Sequence, residues 1–239
     1  MVDLYFWPTA NGIKIPMLLE ELGIDYRPVA LDIRAGAHKT EAFRKISPNL
    51  KIPVLVDDGA LDGNAPVTVF ESGAILLHLA EKHGRFLPAA GQGKAQALGW
   101  LFWQSAHVAA AFGQYVYFVE QLFGQVSEPL LDAACVELNR LYGVLETRLA
   151  EAAYLAGDYS IADIAVFPWI QPRRHRRRLA DTPNLARWHA AVRARPVVDK
   201  AYRLGRGIAS EEKVLSDWTG PEWKTGLSAV FRPRTQPGV

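Results

Sequence analysis

The sequence predicts two unlike halves, an α/β unit followed by an all-helical unit. Up to about Leu87, short segments with the character of strands alternate with helical segments in the order β-α-β-α-β-β-α. After Pro88 the composition changes, and no later segment resembles a strand. With 239 residues, of which 49% are hydrophobic, the chain can bury a sizeable core.

The elements of the first half follow from hydrophobic periodicity and from turn residues. In order, they are the strand DLYFW, a helix over 14–22, the strand DYRPVALDI, a polar helix over 39–46, the strand PVLVDD, the strand VTVF and the helix SGAILLHLAEKHG. A turn at Asp62 and Gly63 connects the last two strands.

The second half contains only predicted helices from 94 to 204, separated by Gly, Ser and Pro residues. The segment AGQG at 90–93 indicates a short linker. We therefore divide the chain into an α/β domain at 1–87, a linker at 88–93, a helical domain at 94–205 and a tail at 206–239. The tail is polar and rich in Gly and Pro, so we expect it to be partly ordered at most.

A capping box is the clearest local signal of the helical half, in the segment GDYSIADIAVFPW. Ser160 can accept a hydrogen bond at the start of a helix, and Asp163, three residues later, can accept one from the backbone of Ser160. Tyr159 can pack on Ile164 as a hydrophobic staple. The pattern predicts a role in folding, with about 1 kcal/mol lost when the cap is removed.

Charge and cysteine content exclude several classes of function. Lys and Arg number 27 against 25 Asp and Glu, so the overall field favours neither nucleic acid nor a membrane surface as a partner. The run RRHRRR at 173–178 is interpreted as a solvated, partly ion-paired helix end. Cys135 is the only cysteine, which excludes an intramolecular disulfide and favours a reducing, cytoplasmic setting. The six His residues form no pair with metal-ligand spacing, and no segment resembles a signal peptide or a membrane span.

The turn after the first strand reads PTANG and contains no sulfur. In a redox protein of this layout, a reactive cysteine is expected in this turn. Any thiol chemistry here must therefore use a thiol that comes from outside the chain.

Several motifs resemble those of the cytosolic glutathione transferases, in which a thioredoxin-like domain precedes a helical bundle. The resemblance covers about 3–205, and its carriers are LYFWPTANGIKI, ISPNLKIPVLVDD, VFESGAILLHLAEK, LGWLFWQ and GDYSIADIAVFPW. Within the superfamily, Thr9-x-Asn11-Gly12, SPNLKIP at 47–53 and WLFWQ at 100–104 are similar to the nu class. That class contains bacterial glutathione-dependent disulfide-bond oxidoreductases and is related to a yeast nitrogen regulator.

Glutathione carries two carboxylates, an amine and a thiol, and the segment VFESG supplies groups for one end of it. Ser72 stands at a helix N-terminus, where free N–H groups and the helix dipole favour an anion such as the γ-glutamyl carboxylate. The resemblance implies that Glu71 holds the amino group. The alternative is that Ser72 only caps the helix and Glu71 is a solvated charge.

The loop before the third strand supplies the middle of the predicted site. The resemblance implies a cis peptide bond between Ile52 and Pro53, which exposes the backbone of Ile52 for strand-like pairing with the cysteinyl unit. Lys51 can neutralise the glycine carboxylate. The alternatives are a rigid turn for Pro53 and a solvated Lys51.

Thr9 and Asn11 are the predicted catalytic residues. A glutathione thiol is mostly protonated at neutral pH, and a hydroxyl, an amide and a helix N-terminus can each favour the thiolate. The resemblance to the nu class assigns the same role to both residues. A helix that begins only at Pro16 would displace the dipole from Asn11, and the alternative is a plain turn capped by Asn11. Tyr5 is a rival hydroxyl, which we interpret as a packing residue.

The helical half is expected to bind the second substrate. Its first helix is rich in aromatic residues, of which Tyr115 and Tyr117 are the candidates for an apolar pocket over the sulfur. In the nu class an Arg from the following helix helps to hold a second glutathione. The corresponding region, 132–135, contains no Arg, and this departure weakens the case for two glutathione molecules.

The resemblance implies a homodimeric enzyme with glutathione as co-substrate. We expect the bound thiolate to attack a small-molecule disulfide, giving a mixed disulfide that a second glutathione resolves. One alternative is conjugation of glutathione to an apolar electrophile. Another is a non-catalytic regulatory or binding protein on the same scaffold.

Overall fold

The computed structural model describes residues 1–59 and 65–209. It confirms the predicted fold class, a mixed four-stranded α/β unit followed by helices. The elements of the first half are β1 (Val2–Phe6), α1 (Ala10–Leu22), β2 (Tyr26–Ala30), α2 (Glu41–Arg44), β3 (Val54–Asp57), β4 (Val67–Phe70) and α3 (Ser72–His83). The predicted turn at Asp62 and Gly63 lies outside the described residues, as does 210–239 of the predicted tail.

The second half is helical, as predicted. Its elements are α4 (Gly91–Trp103), a π-helical segment (Gln104–Val108), α5 (Ala109–Val116), a second π-helical segment (Tyr117–Gln121), α6 (Glu128–Glu151), α7 (Ile161–Val166), a 3₁₀ turn (Phe167–Trp169), another 3₁₀ turn (Leu179–Asp181), α8 (Pro183–Arg193) and α9 (Pro196–Ala209). Within the described part of this half, β-type pairing is limited to two isolated bridges between 154 and 158. Helix α4 begins at Gly91, inside the predicted linker, and α9 includes the first four residues of the predicted tail.

The sheet has the strand order β2-β1-β3-β4. Strand β1 runs parallel to β2 and antiparallel to β3, and β3 runs antiparallel to β4. Leu4 and Phe6 of the central strand β1 are fully buried in the core. Pro28 lies in β2, an edge strand, where its missing N–H costs no ladder bond on the open side.

The strand directions bring three distant segments to one edge of the sheet. In the register, Val54 at the start of β3 pairs with Tyr5 near the end of β1 and with Phe70 at the end of β4. The turn after β1, the loop before β3 and the turn after β4 therefore meet at this edge. These are the three segments that contain the predicted glutathione-binding residues.

Asp163 organises the start of α7, and the predicted capping box is confirmed. Its carboxylate accepts from the backbone N–H of Ser160 at 3.0 Å, while Ser160 Oγ accepts from Ala162 at 3.2 Å. Asp163 is fully buried and also accepts from the Leu155 N–H and the Trp188 indole. Burial raises its pKa to about 6, although these hydrogen bonds oppose the shift.

The arginine-rich run forms a turn, so its interpretation as a helix end is wrong. Arg174 makes a bidentate ion pair with Glu120, and both of its N–O distances are 2.5 Å. His175 is 2% exposed, and its Nδ1 lies 2.9 Å from the Tyr142 hydroxyl. Burial, and secondarily the nearby Arg174 and Arg177, lower the pKa of His175 to about 3, so it is neutral at physiological pH. The run bends because its central His belongs to the core.

Candidate functional site

The corner between β1 and α1 is built by Thr9. Thr9 is the N-cap of α1, and its Oγ1 accepts from the Gly12 N–H at 3.1 Å. Because the oxygen accepts this bond, the hydroxyl hydrogen of Thr9 remains for a ligand. The helix begins at Ala10, so Pro16 lies inside it and the positive end of its dipole lies at Asn11. Both the late helix start at 14 and the alternative of a cap by Asn11 are therefore wrong.

The backbone at the end of β1 comes so close to the first turn of α1 that position 12 requires a glycine. A Cβ atom at this position would lie 2.0 Å from the carbonyl oxygen of Trp7. Any larger residue would push the first turn of α1 away from the end of β1. Gly12 thus fixes the position of Asn11 relative to the sheet edge.

Lys14 lies beneath this corner and is a site residue that sequence reasoning missed. Its side chain is fully buried. Its Nζ donates to Asn11 Oδ1 at 2.8 Å and to Gln104 Oε1 at 2.7 Å. A third bond goes to Ser72 Oγ at 3.2 Å. Burial lowers the pKa of the Lys14 ammonium well below its usual range, with the charge of Glu71 acting in the opposite direction.

The side-chain oxygen of Asn11 receives a second donor from the helical half. The indole Nε1 of Trp169 donates to Asn11 Oδ1 at 3.0 Å. Trp169 ends the 3₁₀ turn after α7, whereas Gln104 begins the π-helical segment after α4. Such segments interrupt regular helices and are frequent at functional sites. Both halves of the chain therefore contribute to the corner.

Ser72 is brought next to Asn11, as the predicted site requires. The Ser72 hydroxyl donates to Asn11 Oδ1 at 3.5 Å, and Ser72 is the first residue of α3. Glu71, directly before it, is exposed and has a φ of 70°, which is strained for a non-glycine residue. This backbone conformation turns the chain from β4 into α3 and leaves the Glu71 carboxylate in solvent beside the helix N-terminus.

The loop before β3 is held by Ser47. Its hydroxyl donates to the Lys51 carbonyl at 2.8 Å and accepts from the Lys51 N–H at 3.1 Å. The Ile52–Pro53 bond is cis, as the resemblance implied, and Ile52 lies outside the β3 ladder, which begins at Val54. Lys51 is exposed.

His38 lies beside this loop and was not predicted as a site residue. It is 9% exposed, and its Nδ1 has no hydrogen-bond partner among the described residues. Burial, and secondarily the charges of Lys39 and Lys51, lower its pKa.

The tyrosine candidates have different environments. Tyr5 packs against Phe43, with ring centroids 6.3 Å apart, which agrees with its interpretation as a packing residue. Tyr115 is 2% exposed and packs near His175, so its ring belongs to the helical core and is not open to a ligand. The expectation that Tyr115 lines a pocket is therefore wrong. Tyr117 is 51% exposed and remains a candidate.

The site contains neutral donors and cations, and it contains no cysteine. Cys135 lies on α6, where burial raises the pKa of its thiol. No group of three or more metal-ligating side chains occurs within 1–59 and 65–209. Across the same ranges, no helix is both long and apolar enough to span a bilayer.

Comparison with known proteins identifies the class to which this fold and site belong. The chain matches the glutathione S-transferase N-terminal domain over residues 1–81 and the C-terminal domain over 98–196. It therefore belongs to the glutathione S-transferase family. It is 44% identical over 203 residues to the disulfide-bond oxidoreductase YfcG of Escherichia coli, covering 84% of this chain and 94% of that protein.

Two solved structures have the same fold at a TM-score of 0.78. One is a glutathione transferase from Burkholderia graminis with two glutathione molecules bound per subunit, which is 36% identical and is matched over 84% of this chain and 86% of that one. The other is a glutathione transferase from Pseudomonas putida with one glutathione disulfide bound per subunit, which is 34% identical and is matched over 85% of this chain and 91% of that one.

Proposed function

We propose that this chain is a cytoplasmic, nu-class, glutathione-dependent disulfide-bond oxidoreductase. A glutathione thiolate bound at the corner attacks a small-molecule disulfide and forms a mixed disulfide, while the leaving sulfur departs as a thiolate that takes a proton from solvent. A second glutathione thiolate then attacks the mixed disulfide, which gives glutathione disulfide and releases the other sulfur. The observation that carries the proposal is a strand-to-helix corner that has a hydroxyl, an amide and a helix N-terminus but no sulfur. The likeness to the disulfide-bond oxidoreductase YfcG supports this reaction.

Thr9 and Asn11 carry the catalytic role in this proposal. The Thr9 hydroxyl hydrogen and the Asn11 NH₂ group donate to the sulfur, and they favour its ionised form because hydrogen bonds to a charged acceptor are the stronger ones. The N–H groups of the first turn of α1 add to this effect. The protein thus orients the nucleophile and stabilises its charge.

The remaining residues bind the tripeptide along the sheet edge. Ser72 and the N-terminus of α3 hold the γ-glutamyl carboxylate, and Glu71 holds the amino group. The backbone of Ile52, presented by cis-Pro53, pairs with the cysteinyl unit. Lys51 neutralises the glycine carboxylate, and the His38 Nδ1, which has no partner among the described residues, adds a hydrogen bond.

Comparing two substrates tests the reaction. Turnover of 2-hydroxyethyl disulfide with glutathione, well above turnover of a chloronitrobenzene, is the expected result. The reverse preference would favour conjugation, for which the exposed ring of Tyr117 is the candidate contact. Binding of glutathione without turnover of either substrate would indicate a non-catalytic protein.

Ser72→Ala tests the anion pocket. Loss of the hydroxyl should weaken glutathione binding by about ten- to a hundredfold in calorimetry, because a hydrogen bond to a charged group contributes roughly 1.5–3 kcal/mol. Ser105→Ala is the matched control, since its hydroxyl bonds to the Leu101 carbonyl and lies close to Gly73 of α3. Equal affinity in Ser72→Ala and the wild type would contradict the assignment.

We propose further that the chain forms a homodimer. Phe102 on α4 is 62% exposed and Phe70 on β4 is 42% exposed, and a dimer interface over these rings would remove them from water. Light scattering should give a mass near twice 26.5 kDa, and Phe102→Glu should lower it. A single-chain mass for the wild type would contradict the proposal.

A further inference from the structure

Lys14 lies where burial disfavours its charged form and three acceptor oxygens favour it. The ammonium is fully buried, and removing it from water is unfavourable unless its protons are bound by acceptors. Here each of its three N–H groups has an oxygen, from Asn11, Ser72 and Gln104. These oxygens come from α1, from α3 and from the π-helical segment of the second half. An apolar side chain of similar volume would fill the same space without this cost.

The partners of Asn11 determine which way its amide points. An ammonium and an indole N–H can only donate, so the Asn11 group that faces Lys14 and Trp169 must be its carbonyl oxygen. The NH₂ group is then the end of the amide left for a ligand. Asn11 is half-buried, so this end is accessible.

We propose that Lys14 and Trp169 are positioning residues for thiol activation, which fix and polarise the Asn11 amide so that its NH₂ group donates to the glutathione sulfur. The inference rests on the proposed function. Hydrogen bonds in a chain polarise one another, so a cation on the oxygen side strengthens the donor on the nitrogen side. The helical half then takes part in ionising glutathione as well as in binding the second substrate.

The Lys14 ammonium also contacts Ser72, so replacing Lys14 affects the anion pocket as well. The Ser72 oxygen accepts from Lys14, and its hydroxyl hydrogen, which makes only a long bond of 3.5 Å to Asn11 Oδ1, can turn to the γ-glutamyl carboxylate. When Lys14 is replaced, Ser72 loses a donor to its oxygen but keeps the hydrogen that contacts the ligand. Tripeptide binding should therefore suffer less than thiol ionisation.

Lys14→Met separates these two effects, because Met keeps an apolar stem without the charge or the donors. The pKa of bound glutathione is measured from the ultraviolet absorbance of its thiolate during a pH titration. It should rise by about one unit in Lys14→Met, and the acidic limb of the kcat/KM profile should move to higher pH by the same amount. Binding of S-methylglutathione, which has no ionisable thiol, should stay within about threefold of the wild type.

Two further variants complete the test. Lys200→Met, an exposed lysine of α9, is the control and should behave as the wild type. Trp169→Phe removes the indole donor and keeps a ring, so it should also raise the pKa of the bound thiol, but by less than Lys14→Met does. If Lys14→Met does not fold, the result for Trp169→Phe decides the question. An unchanged pKa of the bound thiol in folded Lys14→Met, or failing that in Trp169→Phe, would overturn the inference. Failure of the wild type to bind glutathione is a different result, which would overturn the proposed function itself.

Discussion

Asn11→Ala should lower kcat/KM for glutathione-dependent disulfide reduction by about a hundredfold, which is the loss typical of removing one preorganised donor to a reacting anion. The amide is held by Lys14 and Trp169 with its oxygen inward, and the substitution removes the NH₂ donor that this arrangement directs outward. The rate should be measured near pH 7, where free glutathione is mostly protonated and help with ionisation matters most.

Thr9→Ala should also reduce activity, with an additional loss of about 1 kcal/mol in the free energy of unfolding because the N-cap of α1 is removed. Tyr5→Phe is the matched control, since it removes a hydroxyl from β1 while keeping the ring against Phe43. If Tyr5→Phe abolished disulfide reduction while Asn11→Ala and Thr9→Ala left it intact, the hydroxyl of β1 and not the corner would stabilise the thiolate.

Asp163→Ala should produce the largest loss of stability, about 3–5 kcal/mol in the free energy of unfolding. The substitution removes the acceptor of four buried donors, namely the N–H groups of Leu155 and Ser160, the Ser160 hydroxyl and the indole of Trp188. These donors tie the preceding loop and α8 to the start of α7, so the loss exceeds that of an ordinary helix cap.

Urea denaturation of Asp163→Ala and of Asp158→Ala measures this effect. Asp158 is an exposed carboxylate in the same loop, and its removal should change stability little. Similar unfolding midpoints for the two variants would show that Asp163 is no more than a local cap.

Local patterns were sufficient to predict most of the fold. The strands were recognisable from alternation and the capping box from the spacing of Ser160 and Asp163, because both signals depend on neighbours in sequence. The start of α1 was predicted too late because Asn11 and Gly12 favour turns, whereas the approach of the Trp7 carbonyl makes a glycine necessary inside the first helical turn. Similarly, the glycines of AGQG favour a linker, whereas Gly91 begins α4.

The sequence indicates residues of the candidate site that lie at the ends of helices and strands, and it does not indicate those that lie inside helices. Ser72 and Asn11 stand at helix starts, which are recognisable positions for binding anions. Lys14 sits between Ile13 and Ile15 in a buried stretch, and that apolar setting was the one signal of an unusual lysine. Its partner Ser72 is 58 residues away and Gln104 is 90 residues away, and Trp169 is 158 residues from Asn11. Such contacts depend on how the two halves pack, which no local pattern encodes.

The absence of sulfur from the turn after β1 bears on how this protein would withstand oxidants. A resident catalytic cysteine that is driven to sulfinic or sulfonic acid is lost with its polypeptide. A sulfur carried by an exchangeable tripeptide leaves the corner when it is damaged, and the next molecule restores the site. Peroxide would thus consume the small-molecule pool before it consumed the enzyme, and the lifetime of the catalyst would be set by the stability of its fold.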